Sequence, residues 1–153
     1  MSVGFPPMHH IGIVVSDLDG AMDELSSQLA LTWTPIRHSE RIVRHLGRLV
    51  TTDLRLSYSI EGPPHLELIS QARGTPWEPT RGCIHHAGYW VQDLRGAGRL
   101  LTRAGMTLEA TYDAEDGGLL GFAYFTDANG FRIEILDDSR RQSFDDWLAG
   151  GPG

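Results

Sequence analysis

Two histidines and two glutamates occupy equivalent places in the two halves of this 153-residue chain. His10 and His86 each open a similar segment, and each half also has a glutamate inside an apolar run, Glu67 in HLELI and Glu134 in RIEIL. A carboxylate in a buried strand is costly unless it is paired or binds a metal. Two imidazoles and two carboxylates suit one divalent transition metal, and the candidates are Zn²⁺, Ni²⁺, Co²⁺, Mn²⁺ and Fe²⁺.

The two histidines belong to a sequence repeat. Residues 10–25 and 86–101 align without gaps and are identical at eight of sixteen positions. A repeat of this length indicates a duplicated structural unit, because each copy needs the same backbone geometry and packing face. The identical pairs are His10/His86, Gly12/Gly88, Val15/Val91, Asp17/Asp93, Leu18/Leu94, Gly20/Gly96, Ala21/Ala97 and Leu25/Leu101.

The elements around the first copy have the order βαβββ. An apolar, β-branched run predicts a strand over 8–15, and Asp17 is a suitable N-cap for a helix with apolar residues at helical spacing over 18–29. Further strands are predicted near 40–46, 49–60 and 65–69, separated by Gly47 and by a Gly-Pro-Pro turn. These elements form module one, residues 8–70.

The same order follows a Gly- and Pro-containing linker over 71–83. Module two, residues 84–137, has a strand over 84–91, a helix capped by Asp93 and ended by Gly105, and strands near 107–112, 119–126 and 131–136. A tail over 138–153 has apolar residues at helical spacing. We therefore expect one α+β domain over 1–153, in which two tandem βαβββ modules form a curved open mixed sheet around a metal-binding cleft.

Strand alternation predicts which neighbours share that cleft, since residues two apart face the same way. Gly12 and Gly88 would leave room beside the metal. The substrate-binding candidates are Val14, His65, Ile69, Trp90 and Arg132. Each residue also has a structural interpretation: a strand histidine can be a core residue, Glu67 can pair with a surface arginine, Arg132 can pair with Glu134, and Trp90 can simply pack. His9 and His85 are expected to point to the opposite face.

Composition excludes several classes of partner. The formal net charge is −7 and the longest basic run is Arg140-Arg141, so neither nucleic acid nor a membrane is expected as a partner. No apolar run approaches the length of a membrane span. The single cysteine, Cys83, excludes an intramolecular disulfide and suits a reducing compartment, which predicts a cytoplasmic location.

The segments HIGIVVSDL, HLELI, HAGYWVQDL and DANGFRIEIL, in this order, resemble those of the vicinal oxygen chelate superfamily. This superfamily includes glyoxalase I, methylmalonyl-CoA epimerase, ring-cleaving dioxygenases and bleomycin-binding resistance proteins. The resemblance covers about 8–137 and is strongest to the glyoxalase I and epimerase branch. It implies metal ligands at His10, Glu67, His86 and Glu134. Epimerases usually place glutamine where Glu67 stands, and only Asp53 offers a carboxylate where their additional base is expected.

The resemblance implies a metal-dependent isomerase or lyase that promotes proton transfer next to a carbonyl. Glu134 or Glu67 would be the base, and the substrate would be a small molecule with two adjacent oxygens. One alternative is a non-catalytic small-molecule or drug-binding protein, with Trp33, Tyr89 and Trp90 lining the pocket. Another is a ring-cleaving dioxygenase that uses Fe²⁺. Similarity to relatives also predicts a homodimer.

Overall fold

Residues 5–151 are described by a computed structural model, and they contain the βαβββ order twice. The first module consists of β1 His10–Val15, α1 Leu18–Leu29, β2 Arg37–His45, β3 Arg48–Tyr58 and β4 His65–Ser70. The second consists of β5 His86–Val91, α2 Leu94–Arg103, β6 Thr107–Tyr112, β7 Phe122–Thr126 and β8 Arg132–Asp137. A short 3₁₀ turn, Asp138–Arg140, leads into α3, Arg141–Leu148. The predicted α+β fold of two tandem modules is confirmed.

The strands form one mixed sheet in the order β1-β4-β3-β2-β6-β7-β8-β5. The first strand of each module pairs in parallel with its last strand, β1 with β4 and β5 with β8. The modules join twice through antiparallel pairs, β1 with β5 and β2 with β6. The sheet therefore closes into a barrel, whereas the expectation was an open curved sheet. It closes because both edges of one module pair with the edges of the other.

The repeated aspartates are helix caps. The Asp17 carboxylate accepts a hydrogen bond from the Gly20 N–H at 3.0 Å, and Asp93 accepts one from Gly96 at 2.8 Å. A Cβ at either glycine would overlap the capping carboxylate. The repeat thus preserves Asp-x-x-Gly because both residues belong to the same cap.

Some strand boundaries differ from the predicted ones. The strand expected over 119–126 begins only at Phe122, because Gly121 has a φ of +72° and the Leu120 N–H donates to Thr111 Oγ1. The strand expected over 40–46 begins three residues earlier, at Arg37, which pairs with Leu56. This extension brings Arg37 into the sheet.

The C-terminal tail packs on the barrel through two aromatic residues of α3. Phe144 and Trp147 are buried, and the Phe144 ring lies 4.7 Å from the Tyr58 ring. The Trp147 indole N–H donates to the Pro35 carbonyl at 2.9 Å. The tail therefore belongs to the same core as the strands. Within residues 5–151, no helix has the length and apolar character needed to span a bilayer.

Candidate metal centre

The four predicted ligands converge inside the barrel. His10 and His86 are the first residues of β1 and β5, while Glu67 and Glu134 lie in the middle of the strands paired with them. The Nε2 atoms of His10 and His86 are 3.0 Å apart. The His10 Nε2 atom lies 2.9 Å from Glu134 Oε2 and 3.5 Å from Glu67 Oε2. The His86 Nε2 atom lies 3.1 Å from Glu67 Oε2 and 3.3 Å from Glu134 Oε2.

This donor set fits a divalent metal. Ligands about 2.1 Å from a metal lie about 3.4 Å apart in a tetrahedron and about 3.0 Å apart at adjacent octahedral positions. The measured separations, 2.9 to 3.5 Å, span the same range. Glu67 Oε2 and Glu134 Oε2 are buried and accept no hydrogen bond. Two carboxylates with unsatisfied buried oxygens require a positive charge at this point.

Two glycines allow the imidazoles to approach each other. Gly88 pairs with His10 and Gly12 pairs with His86 across the β1–β5 ladder. A Cβ at Gly88 would overlap the His10 ring, and a Cβ at Gly12 would overlap the His86 ring. The predicted space beside the ligands is therefore occupied by the ligand rings themselves.

His9 and His85, which were expected to point away, contact the two ligand histidines instead. His85 Nε2 lies 2.7 Å from the Pro76 carbonyl, so this nitrogen carries the proton and His85 Nδ1 is left as an acceptor. His86 Nδ1 lies 2.9 Å from that acceptor and donates to it. The His86 Nε2 lone pair is thereby directed at the centre.

His9 makes the equivalent contact in the first module, where its Nδ1 atom lies 3.1 Å from His10 Nδ1. Strand alternation does not predict this role, because His9 and His85 lie just before β1 and β5 and are not strand residues. The sequence does contain a pattern that indicates a shared role for these residues, because the histidine pair recurs as His9-His10 and His85-His86.

Burial and charge set the protonation of these groups. Burial, followed by the neighbouring ligand histidine, lowers the pKa of both His9 and His85 to about 3, so both are neutral acceptors at pH 7. Burial alone would lower the pKa of His86, but the adjacent Glu134 and Glu67 carboxylates outweigh it and raise this pKa to about 9. Burial opposes ionisation of Glu134, yet the two ligand histidines hold its pKa well below the ordinary value. In the metal-free protein a proton on His86 supplies the positive charge.

The centre opens into a cavity of about 160 Å³. Glu67 and Glu134 line its buried end, and eight of its lining residues are aromatic. The Trp77 indole, from the predicted linker, donates to the Tyr124 hydroxyl at 3.0 Å. The aromatic lining residues are Tyr58, Trp77, Trp90, Tyr112, Phe122, Tyr124, Phe144 and Trp147, and the basic ones are Arg37, Arg41 and Arg140.

The predicted substrate-binding residues divide into two groups. Trp90 and Ile69 line the cavity. Val14, His65 and Arg132 do not: Val14 packs in the core with Ile69, and the His65 Nδ1–H donates to the Ser59 carbonyl at 2.8 Å. His65 begins β4 and Arg132 begins β8. They share a face with the glutamates but lie two residues nearer the end of the strand, and neither lines the cavity.

Arg132 has a different role from the one predicted. Its guanidinium donates to both Glu109 carboxylate oxygens, at 2.6 and 2.7 Å, and to the His85 carbonyl at 3.1 Å. Its carboxylate partner is therefore Glu109 rather than Glu134. Arg132 thus holds the backbone of His85 and lies outside the cavity.

Asp53, considered from the sequence as an additional base, and Trp33 and Tyr89, considered as pocket residues, lie outside the cavity. Asp53 is exposed on β3 and pairs with His38. The Trp33 indole donates to Ser26 Oγ at 2.9 Å, and Tyr89 packs edge-on against Phe5 at 5.0 Å. Neither the carboxylate considered as an additional base nor these two aromatic residues line the pocket.

Solved structures with the same fold include methylmalonyl-CoA epimerases. The Mycobacterium tuberculosis epimerase superposes with a TM-score of 0.64 at 18% identity, over 94% of this chain and 96% of that chain. A variant of the Streptomyces coelicolor epimerase, in complex with 2-nitronate-propionyl-CoA, superposes with a TM-score of 0.59 at 13% identity, over 88% and 98% of the two chains. No curated protein sequence matches the chain.

A family model described as Glyoxalase/Bleomycin resistance protein/Dioxygenase superfamily matches residues 9–125. The matched range contains both histidine pairs, both capping aspartates and Glu67. It ends before β8, but the barrel places Glu134 beside the other three side chains. The resemblance to the vicinal oxygen chelate proteins is confirmed, and the chain belongs to the Glyoxalase/Bleomycin resistance protein/Dioxygenase superfamily.

Proposed function

We propose that this protein is a metal-dependent isomerase or lyase that moves a proton next to a carbonyl group of a small substrate with two adjacent oxygens. The observation that carries the proposal is the convergence of four donor atoms, two from each module, at the buried end of a cavity. His10, Glu67, His86 and Glu134 would hold one divalent metal, chosen from Zn²⁺, Ni²⁺, Co²⁺, Mn²⁺ and Fe²⁺.

A divalent metal at this point would polarise a carbonyl oxygen and make the neighbouring C–H more acidic. The chain supplies the base, because a carboxylate oxygen of Glu134 or Glu67 can take that proton and return it. Both carboxylates line the cavity from opposite modules, so one can receive the proton while the other keeps its position.

Tyr58 is placed to support this proton transfer. Burial, together with the nearby Glu67 and Glu134, raises the pKa of its hydroxyl well above the ordinary value, so the hydroxyl stays protonated and can donate to Glu67. The ring centres of Trp90 and Phe144 lie 5.5 Å apart on the cavity wall and reduce the space available to water. A water-poor site strengthens each electrostatic interaction with the developing charge.

Two features favour a glyoxalase-I-like reaction over an epimerase-like one. Glu67 gives the centre a second carboxylate, and Asp53, the carboxylate considered as an additional base, lies outside the cavity. The epimerase structures support the general chemistry, because the named ligand of one of them, 2-nitronate-propionyl-CoA, carries a deprotonated, nitronate carbon next to a carbonyl.

The proposal is tested by metal content and by exchange of the acidic proton. The purified protein should hold about one transition metal per chain. The hemithioacetal of glutathione and methylglyoxal, and methylmalonyl-CoA, serve as substrates in D₂O, where NMR detects deuterium next to the carbonyl. Glu134→Gln should abolish exchange at a folded, metal-binding site, while the exposed Glu40→Gln should leave exchange unchanged.

The same experiment distinguishes the alternatives. Exchange that persists in Glu134→Gln and Glu67→Gln alike would overturn the role of these bases. A folded, metal-free protein that binds aromatic ligands tightly without exchange would identify the non-catalytic binder. Oxygen consumption with a catechol in the Fe²⁺-loaded protein would identify the dioxygenase.

A further inference from the structure

Three arginines line the same cavity as the ligand carboxylates. Arg37 and Arg41 come from β2, and Arg140 comes from the 3₁₀ turn that precedes α3. Within residues 5–151, none of the three forms an ion pair, although arginines elsewhere on the surface pair with aspartates. The Nε atom of Arg37 is buried and makes no hydrogen bond.

The sheet register orders these arginines along the cavity. Tyr58 of β3 pairs with Glu67, which marks the metal end. Arg37 pairs with Leu56, two residues from Tyr58, and Arg41 pairs with Thr52, a further four residues away. With a rise of about 3.3 Å per residue, Arg37 is anchored roughly 7 Å along β3 from the metal end and Arg41 roughly 20 Å.

Arg37 is held in place by packing. Its guanidinium carbon lies 4.0 Å from the centre of the Trp147 ring, and that indole is fixed by its hydrogen bond to Pro35. A stacked guanidinium keeps its N–H groups free in the plane of the stack. Burial, and to a lesser extent the positive charges of Arg140 and Arg41, lowers the pKa of Arg37 below its ordinary value.

The charges of the metal centre cancel one another and leave the arginine charges without a counter-ion in the cavity. A divalent metal, two neutral histidines and two carboxylates sum to zero, and Glu67 and Glu134 are the acidic residues that line the cavity in the described part of the chain. Three positive charges are then left uncompensated in the cavity of a chain whose net charge is −7. Arg37 is half-buried and stacked on Trp147, and leaving its buried Nε–H without an acceptor is costly unless a ligand supplies the anion.

Building on the proposed function, we infer that the substrate carries an oxyanion, a carboxylate or a phosphate, beyond its two chelating oxygens, and that Arg37 and Arg140 bind it, while Arg41 adds positive charge farther along the cavity. The chelating end would then occupy the metal centre, and the anionic end would reach toward the half-buried Arg37 and the exposed Arg140. The reacting carbon would lie between them, beside Glu67 and Glu134.

The test compares ligands that differ only in the distal group. 2-Oxoglutarate and 2-oxoadipate share their chelating end with 2-oxopentanoate and 2-oxohexanoate but end in a carboxylate, and 4-phosphono-2-oxobutanoate ends in a phosphonate. Calorimetry on the Co²⁺-loaded protein at low salt measures each affinity. We expect a preference of about tenfold to a hundredfold for an anionic end. The better of the carboxylate and phosphonate ligands identifies the type of oxyanion.

Variants connect this preference to the arginines. Arg37→Gln and Arg140→Gln should each reduce the preference for an anionic end about tenfold. The control is Arg95→Gln, since Arg95 pairs with Asp116 on the surface, and it should retain the preference. Because Arg37 also packs on Trp147, Arg37→Lys provides a variant that keeps the charge. Equal affinity for charged and uncharged ends in the unaltered protein would overturn the inference, as would a preference that survives all the arginine-to-glutamine changes.

The proposed function has its own readout in the same sample. Acetohydroxamate chelates through two adjacent oxygens and has no anionic tail, so it tests the metal centre alone through the visible spectrum of Co²⁺. An unchanged spectrum would count against the proposed function. Pentanoate against the uncharged pentanamide, neither of which needs a metal, would still test the arginines by the same calorimetric comparison.

Discussion

The imidazole of His10 occupies the space that a side chain at position 88 would need, because His10 and Gly88 face each other across β1 and β5. His86 and Gly12 stand in the same relation two pairs along the ladder. The glycine is therefore repeated in both modules because a side chain at either position would overlap the histidine ring of the other module.

Gly88→Ala should displace the His10 ring and weaken metal binding by at least about tenfold, with a loss of stability of about 1 to 3 kcal/mol from overpacking. Competition with a chromogenic chelator measures the affinity, and urea unfolding measures the stability. Gly130→Ala is the matched control, since Gly130 has a φ of +82° and open space around it. It should cost about 1 kcal/mol and leave metal affinity unchanged. Equal affinities for Gly88→Ala and the unaltered protein would contradict this account.

His85→Phe should weaken metal binding about tenfold to a hundredfold, because it removes the acceptor that fixes the His86 tautomer. His85→Asn places an amide oxygen near the position of Nδ1 and should restore much of the affinity. The exposed His38→Phe is the control. If His85→Asn binds metal as weakly as His85→Phe, the side chain at 85 acts through packing rather than through its hydrogen bond.

The metal-free protein should be most stable near pH 6.5. His86 has a pKa of about 9 in the fold and 6.5 as the ordinary value, so its contribution is complete below pH 6.5 and is lost as the pH rises through 9. His9 and His85, with pKa values of about 3, act in the opposite direction: the unfolded chain gains protons below pH 6.5 that the fold does not bind. Urea unfolding in EDTA from pH 4 to 10 measures the curve.

Two comparisons isolate the His86 contribution. His86→Gln should remove the alkaline decline, and saturation with Zn²⁺ should also remove it because the metal replaces the proton. A stability that stays flat between pH 6.5 and 9 in EDTA would show that His86 does not carry the charge between the carboxylates.

Phe144→Ala should destabilise the protein by about 3 to 5 kcal/mol, since its buried ring packs against Tyr58, Trp90 and Trp147. Leu100→Ala, at a side chain that is 63% exposed, should stay within about 0.5 kcal/mol of the unaltered protein. Urea unfolding of both variants measures the difference. A cost below about 1 kcal/mol for Phe144→Ala would mean that α3 is not part of the folded core.

Much of the fold could be predicted because the sequence repeats the residues that determine it. Asp17 and Asp93 mark both helix starts, and Glu67 and Glu134 stand out as acids inside apolar strands. Closure of the sheet could not be predicted, because pairing of β2 with β6 depends on contacts between modules that leave no local pattern. The metal, the homodimer and the cytoplasmic location stay predictions.

The cavity was harder to predict than the donor set. Alternation gives the face of a residue but not its depth in the barrel, so Arg132 and His65 were expected there and Arg37 was not. Trp77, Phe144 and Trp147 come from segments read as linker and tail, and only tertiary packing brings them to the wall.

The donor set also couples the two modules to each other. His10 and Glu134 are 124 residues apart in the chain, yet their side chains lie 2.9 Å apart, and each module contributes one histidine and one glutamate to the donor set. High-affinity binding of a metal would therefore arise late in folding, after the β1–β5 and β2–β6 pairs that join the modules have formed. Uptake of the metal would then distinguish completely folded molecules from those in which a single half has formed.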